Sequence, residues 1–168
     1  MTVRSLVASI LVSAVAVAGW ASAVNACSRA TWVGADGSVI TGRSMDWPYD
    51  FNTHFYLIPR GTKNVGIRGG LEWESRYGAV VAAGSMTPGG PIDGAFDGLN
   101  EKGLGANLLY LAEADFGKEP SPPKPKISMG AWVPYVLSRH ATVAEVVAEF
   151  EKDPLWIVPS TFGPGGAG

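Results

Sequence analysis

Val24-Asn25-Ala26-Cys27-Ser28-Arg29-Ala30-Thr31-Trp32-Val33 is the stretch on which the reading of the fold turns. Before it, Arg4 gives a short positive start and Ser5–Gly19 is almost wholly apolar. Val24 and Ala26 then place small or modest residues at the two positions a signal peptidase reads. The apolar run is about 15 residues long, short of the ~20 that a spanning helix needs. Residues 1–26 are therefore expected to be a cleaved signal peptide and 27–168 the mature portion. Cleavage after Ala26 would leave Cys27 with a thiol and an unblocked α-amine on one residue. A thiol attacks as thiolate, and an α-amine with a pKa of about 7.7–8.0 can take its proton near neutral pH. Nucleophile and general base would then be carried together. A cysteine after a small residue can instead be lipidated, which would make the chain an anchored surface-binding protein. Asn25 spoils the recognition box that this alternative requires.

Downstream, Gly34-Ala35-Asp36-Gly37 is a turn signal between Cys27–Val33 and a second strand over Ser38–Asp46. A hairpin starting at the mature terminus is expected. With a two-residue loop Gly34 faces Gly37 and Cys27 lies opposite Ser44. With a three-residue loop Cys27 lies opposite Arg43, and the sequence leaves both registers open. Trp47-Pro48 ends this strand. His54–Pro59 reads as a third strand, followed by a glycine-rich connection through Gly70. Leu71–Ser85 reads as one or two strands, Thr87–Gly94 as loop. Ala95–Leu99 and Gly103–Leu111 flank the turn Asn100-Glu101-Lys102. Ala112–Lys126 has no periodicity and reads as a surface excursion. Ser128–His140 reads as a helix that Pro134 kinks or starts late. Thr142-Val-Ala-Glu145 is a capping box that opens a helix to about Lys152. From Trp156 the chain is apolar and loop-like, ending in Gly163-Pro-Gly-Gly-Ala-Gly168, and it looks cut off.

Composition narrows the function. The chain has 168 residues, 46% of them hydrophobic, enough for one domain or part of a larger one. A net charge of −2 with no basic block disfavours nucleic acid as a partner. One cysteine cannot form an internal disulfide, and no Cys/His cluster has metal spacing, so neither metal nor cofactor is expected. His54 and His140 read as packing or surface residues. Asp93, Asp97, Glu101, Glu113 and Asp115 read as loop and turn carboxylates, a weak basis for paired-carboxylate chemistry.

Three features together resemble the choloylglycine hydrolase family, the N-terminal-nucleophile amidases that include conjugated bile salt hydrolases and penicillin V acylases. They are Cys27 at a processing point before a strand, Gly42-Arg43-Ser44-Met45-Asp46-Trp47, and Phe96-Asp97-Gly98-Leu99-Asn100-Glu101-Lys102-Gly103-Leu104. Arg43 and Asp46 stand sixteen and nineteen residues past the cysteine, the family's spacing. The resemblance implies an α+β, four-layer αββα N-terminal-nucleophile hydrolase fold, here truncated. It implies hydrolysis of a linear carbon–nitrogen bond with Cys27 as nucleophile. Arg43 would favour the thiolate, and Asp46 would accept hydrogen bonds from the α-amine. Counting on from Gly103-Leu104, Tyr110 falls at the pocket position that is tyrosine in penicillin V acylases and asparagine in bile salt hydrolases. Its backbone amide would help hold the oxyanion. The implied partner is a small-molecule amide, penicillin V-like or another N-acyl amide, with conjugated bile salts as a further option. The setting would be secreted or periplasmic, with no membrane contact after signal cleavage, and a homo-oligomer like the family's tetramer is allowed. The family's remaining asparagine and arginine belong to a second half that this sequence does not reach, so an inactive fragment is the competing expectation.

Overall fold

The computed structural model describes residues 27–47, 49–85, 89–111 and 114–159. The expected signal peptide, Glu113 and the glycine-rich end lie outside the described residues. The chain forms two compact units, one ending at Asp46 and one beginning at Trp47.

The first unit is the expected hairpin, β1 (Arg29–Val33) antiparallel to β2 (Val39–Arg43). Its register differs from both alternatives offered by the sequence. Arg29 faces Arg43, and beyond the ladder Ser28 bonds Ser44, so Cys27 lies opposite neither Ser44 nor Arg43. The cause is the turn. The Gly34 N–H donates to the Ser38 carbonyl at 2.8 Å, which leaves Ala35-Asp36-Gly37 as the loop. Gly37 sits at φ +82°, the left-handed position that three-residue hairpin loops require. Asp36 secures this turn by accepting the Ser38 N–H and hydroxyl, and these bonds hold its carboxyl below the usual carboxylate value.

In the second unit, β3 (His54–Ile58), β6 (Ala79–Gly84), β7 (Gly94–Asn100) and β8 (Gly105–Asn107) form an antiparallel sheet in the order β3-β6-β7-β8. One face carries Ala79, Val81, Ala83, Ala95 and Phe96, all buried. Against that face lies α1 (Met129–Arg139), whose Val133 and Leu137 are fully buried. Two glycines make the approach possible. A Cβ on Gly98 would come within 2.6 Å of Leu137 Cδ1, and one on Gly130 within 2.6 Å of the Asp93 carbonyl oxygen. Pro134 lies inside α1, five residues past its start, and neither ends nor delays it. Burial of Val133, Tyr135, Val136 and Leu137 around it offsets the roughly 3 kcal/mol that an interior proline costs.

Two short pairings were not expected. The glycine-rich connection contains β4 (Lys63–Val65), paired with β5 (Glu72–Glu74), and the last described stretch forms β10 (Trp156–Val158), parallel to β9 (Lys126–Ser128). The turn between β7 and β8 is as expected, but β8 ends at Asn107 instead of Leu111. Thr142 caps α2 (Val143–Phe150) by accepting the Glu145 N–H at 3.2 Å. Glu145 reaches back to Ala141 N–H, one residue before the cap. Among the described residues, no helix lies on the opposite face of the main sheet. Leu57, Val80 and Leu99 stand in register there, with Phe55 beside them, all exposed.

Candidate active site

In the first unit, Ser44 closes the open end of the hairpin. Its N–H donates to the Ser28 carbonyl at 2.9 Å, and its hydroxyl accepts the Ser28 N–H at 3.0 Å. The same hydroxyl donates to Asp46 Oδ2 at 3.0 Å. The carboxylate of Asp46 is thus tied, through one side chain, to the residue that follows Cys27. Arg43 faces Arg29, two residues after the cysteine, so an extended path puts the half-buried Cys27 on the face of the two guanidiniums. Asp46 shares its parity with Ser44, on the other face. Arg43 and Asp46 are thereby assigned to different sides of the strand end that carries the thiol. Arg29 and Ser44 were not singled out by sequence reasoning. The residue types were visible, but the roles depend on a register that the sequence left open.

In the second unit, Tyr110 lies beyond the end of β8 and is 40% exposed. It meets Trp47 edge-on at 5.1 Å. Trp47 stacks on Phe51 at 5.7 Å and meets Tyr49 edge-on, and Phe51 packs on Phe96 at 4.6 Å. Phe96 is the extra residue of a β-bulge. Ala82 pairs with Asp97, the next residue Ala83 pairs with Ala95, and Phe96 is left between them. Bulges re-aim side chains in this way beside functional sites. Tyr110 thus belongs to an aromatic cluster that sequence spacing could not assemble, since its members come from three separate stretches.

The motif around Asn100 has a structural role. Buried Asn100 donates from Nδ2 to the carbonyls of Leu137 (2.8 Å) and His140 (2.7 Å), and its Oδ1 accepts the N–H groups of Lys102 and Leu104 at 3.0 Å each. One side chain therefore finishes the C-terminus of α1 and closes the β7–β8 turn. Glu101 in the same turn takes a two-point bond from Arg60, 2.6 Å on each side, and the Gly78 N–H. Those bonds pull its carboxyl down to about 2. Asp97 pairs with Asn107, and Asp115 with the Gly117 N–H. His54 Nδ1 lies 2.7 Å from the Asn52 carbonyl. His140 bridges Glu149 and the Val136 carbonyl. Among the described residues, no group of three or more His, Cys, Asp or Glu could hold a metal ion, and no helix is long and apolar enough to cross a membrane.

This mixed sheet-and-helix arrangement is shared with solved amide hydrolases. It superposes on penicillin V acylase from Agrobacterium tumefaciens with a TM-score of 0.68 at 38% identity, over 77% of this chain and 39% of that one. A mutant of conjugated bile acid hydrolase from Clostridium perfringens gives 0.64 at 26% identity, over 85% and 42%. In sequence, the chain is 42% identical over 122 residues to penicillin V acylase from Pectobacterium atrosepticum, covering 71% of this chain and 32% of that protein. Residues 27–158 match the profile of the linear amide C–N hydrolases, choloylglycine hydrolase family. The chain belongs to the choloylglycine hydrolase family. It spans less than half the length of each of these relatives.

Proposed function

We propose that this chain is the N-terminal portion of a secreted or periplasmic amidase whose nucleophile is Cys27, exposed as the first residue when the leader is removed. The observation that carries the reading is the Ser44 bridge from the Ser28 N–H to Asp46. It supports a carboxylate held beside the new α-amine, on the side away from the guanidiniums. The amine takes the thiol proton, and the sulfur attacks the carbonyl carbon of the substrate. As the tetrahedral intermediate collapses, the C–N bond breaks and the ammonium returns its proton to the leaving amine. A thioester remains, and water, deprotonated by the same amine, releases the acid. Arg43 favours the thiolate by its fixed charge. Tyr110 keeps the role the resemblance gives it, its backbone amide donating to the oxyanion.

The ring cluster of Trp47, Tyr49, Phe51 and Tyr110 supports an acyl group that carries an aromatic ring, as in a penicillin V-like amide. The exposed row Leu57, Val80 and Leu99 supports a second sheet layer on that face, supplied by chain beyond the described residues. The αββα sandwich would then be complete.

Intact mass and N-terminal sequencing of the protein recovered from secreting cells test the reading, followed by hydrolysis of a phenoxyacetyl anilide. A start at unmodified Cys27 and hydrolysis abolished by iodoacetamide are expected. A lipid adduct on the sulfur, or residues retained before Cys27, would block the amine and overturn it.

A further inference from the structure

We propose that Asp97 and Asn107 are a positioning pair that fixes the register of β8 and, through it, the chain leading to Tyr110. The catalytic consequence rests on the amidase reading above. β8 is the outer strand of the sheet, three residues long, and opens with Gly105 and Ala106, which are poor strand formers. Two bonds secure its end. The Leu108 N–H donates to the Phe96 carbonyl at 2.7 Å, and Asn107 Nδ2 donates to Asp97 Oδ1 at 2.6 Å. The second is short, as expected for a carboxylate acceptor.

Its setting is unusual. Asp97 and Asn107 face each other in the row that also holds Ala82 and the exposed Phe55. On such an apolar face a hydrophobic pair would serve stability better. A polar pair instead specifies one alignment, because a one-residue slip of β8 removes the donor from the acceptor. The slip would also move everything downstream. Tyr110 follows three residues later, within about 10 Å of chain from Asn107. A slip shifts the strand by ~3.4 Å per residue, while an oxyanion donor must stand about 2.7–3.1 Å from its target. The error would exceed the tolerance.

The test uses the chain with Asn107→Asp, which sets two carboxylates opposite each other, and with the reversed pair Asp97→Asn/Asn107→Asp, which exchanges donor and acceptor. Circular dichroism identifies folded variants, and NOEs between the Tyr110 and Trp47 rings report the position of Tyr110. We expect Asn107→Asp to lose these NOEs and, with a phenoxyacetyl anilide, to lower kcat about 10- to 100-fold with KM changed less than about 2-fold. The reversed pair should restore both. If Asn107→Asp does not fold, recovery of fold and NOEs by the reversed pair decides the matter. Unchanged NOEs in a folded Asn107→Asp, or no recovery in the reversed pair, would overturn the proposal. The kinetic arm is read on the protein recovered from secreting cells; a wild type there that shows the NOEs but hydrolyses nothing would sink the amidase reading and leave the NOE comparison to judge the pair.

Discussion

Ser44 is the residue on which the hairpin end depends, and its three hydrogen bonds make a direct test. Ser44→Ala removes the hydroxyl that accepts from Ser28 and donates to Asp46. Each such bond is worth about 1 kcal/mol net, so losing the two should lower the unfolding free energy by no more than about 2 kcal/mol. Hydrolysis should fall about tenfold because Asp46 is no longer aimed, and Ser44→Thr should recover most of it. Steady-state kinetics alongside urea melts would separate the two effects. Asn100 should behave in the opposite way. Asn100→Ala strands two carbonyls and two N–H groups in a buried place, so a loss of about 3 kcal/mol in unfolding free energy is expected. At this scale the sequence was partly legible. Cys27 stood out by its place after the leader, while Arg43 and Asp46 were singled out only by the resemblance to a family. The work of Asn100 could not be read, because its partners at Leu137 and His140 lie about forty residues away.

Among the elements, α2 is the one whose docking should respond to pH. It has no buried residue, and Glu149 joins it to α1 through Tyr135 and His140. Burial alone would raise the Glu149 carboxyl, but the bonds from Tyr135 and His140 and the nearby charges outweigh it and hold it below its ordinary 4.5. A depressed carboxyl contributes stability above its unfolded value, and that contribution is lost as pH falls through the folded one. Burial, followed by the Glu149 contact, pushes the Tyr135 phenol up to about 12 from its ordinary 10. Its contribution is whole below pH 10 and is lost as pH rises toward about 12. Urea midpoints should therefore decline below pH 4.5 and above pH 10, and Glu149→Gln should flatten part of the acid limb. An acid limb identical to wild type in Glu149→Gln would refute this account. The longer elements were readable because a period needs several residues to show itself. β4 and β10, at three residues each, offered no period, and the hairpin register hinged on which glycine took the left-handed turn position.

For the molecule as a whole, the uncovered sheet face governs behaviour in solution. Phe55 and Leu57 are 80% and 73% exposed, with Leu99 at 56%. Such a face should bind anilinonaphthalene sulfonate in the folded state and favour self-association. Leu57→Lys should weaken dye binding several-fold while moving the unfolding free energy by less than about 0.5 kcal/mol. A large loss of stability would mean that this face is already packed. The approximate layout was legible from the chain, because turn signals at Gly34–Gly37 and Asn100–Lys102 bracket short apolar or β-branched runs, whereas the class came with the resemblance. The layer opposite α1 was inferred from resemblance alone, since no residue described here belongs to it.

The surplus residue in β7 works as a change of phase. From Phe96 to Asn100, even-numbered positions turn toward α1 and odd-numbered ones toward the open face. Before Phe96 the count is reversed, with Ala95 paired to Ala83 on the helix side. A chain shortened by Ala95 could run the ladder without a break. Phe96 would then take the place opposite Ala83, with Gly94 still facing Gly84, and only Ala95 would be lost from the helix side. The irregular strand seats two apolar residues on the buried face where a perfect ladder has room for one.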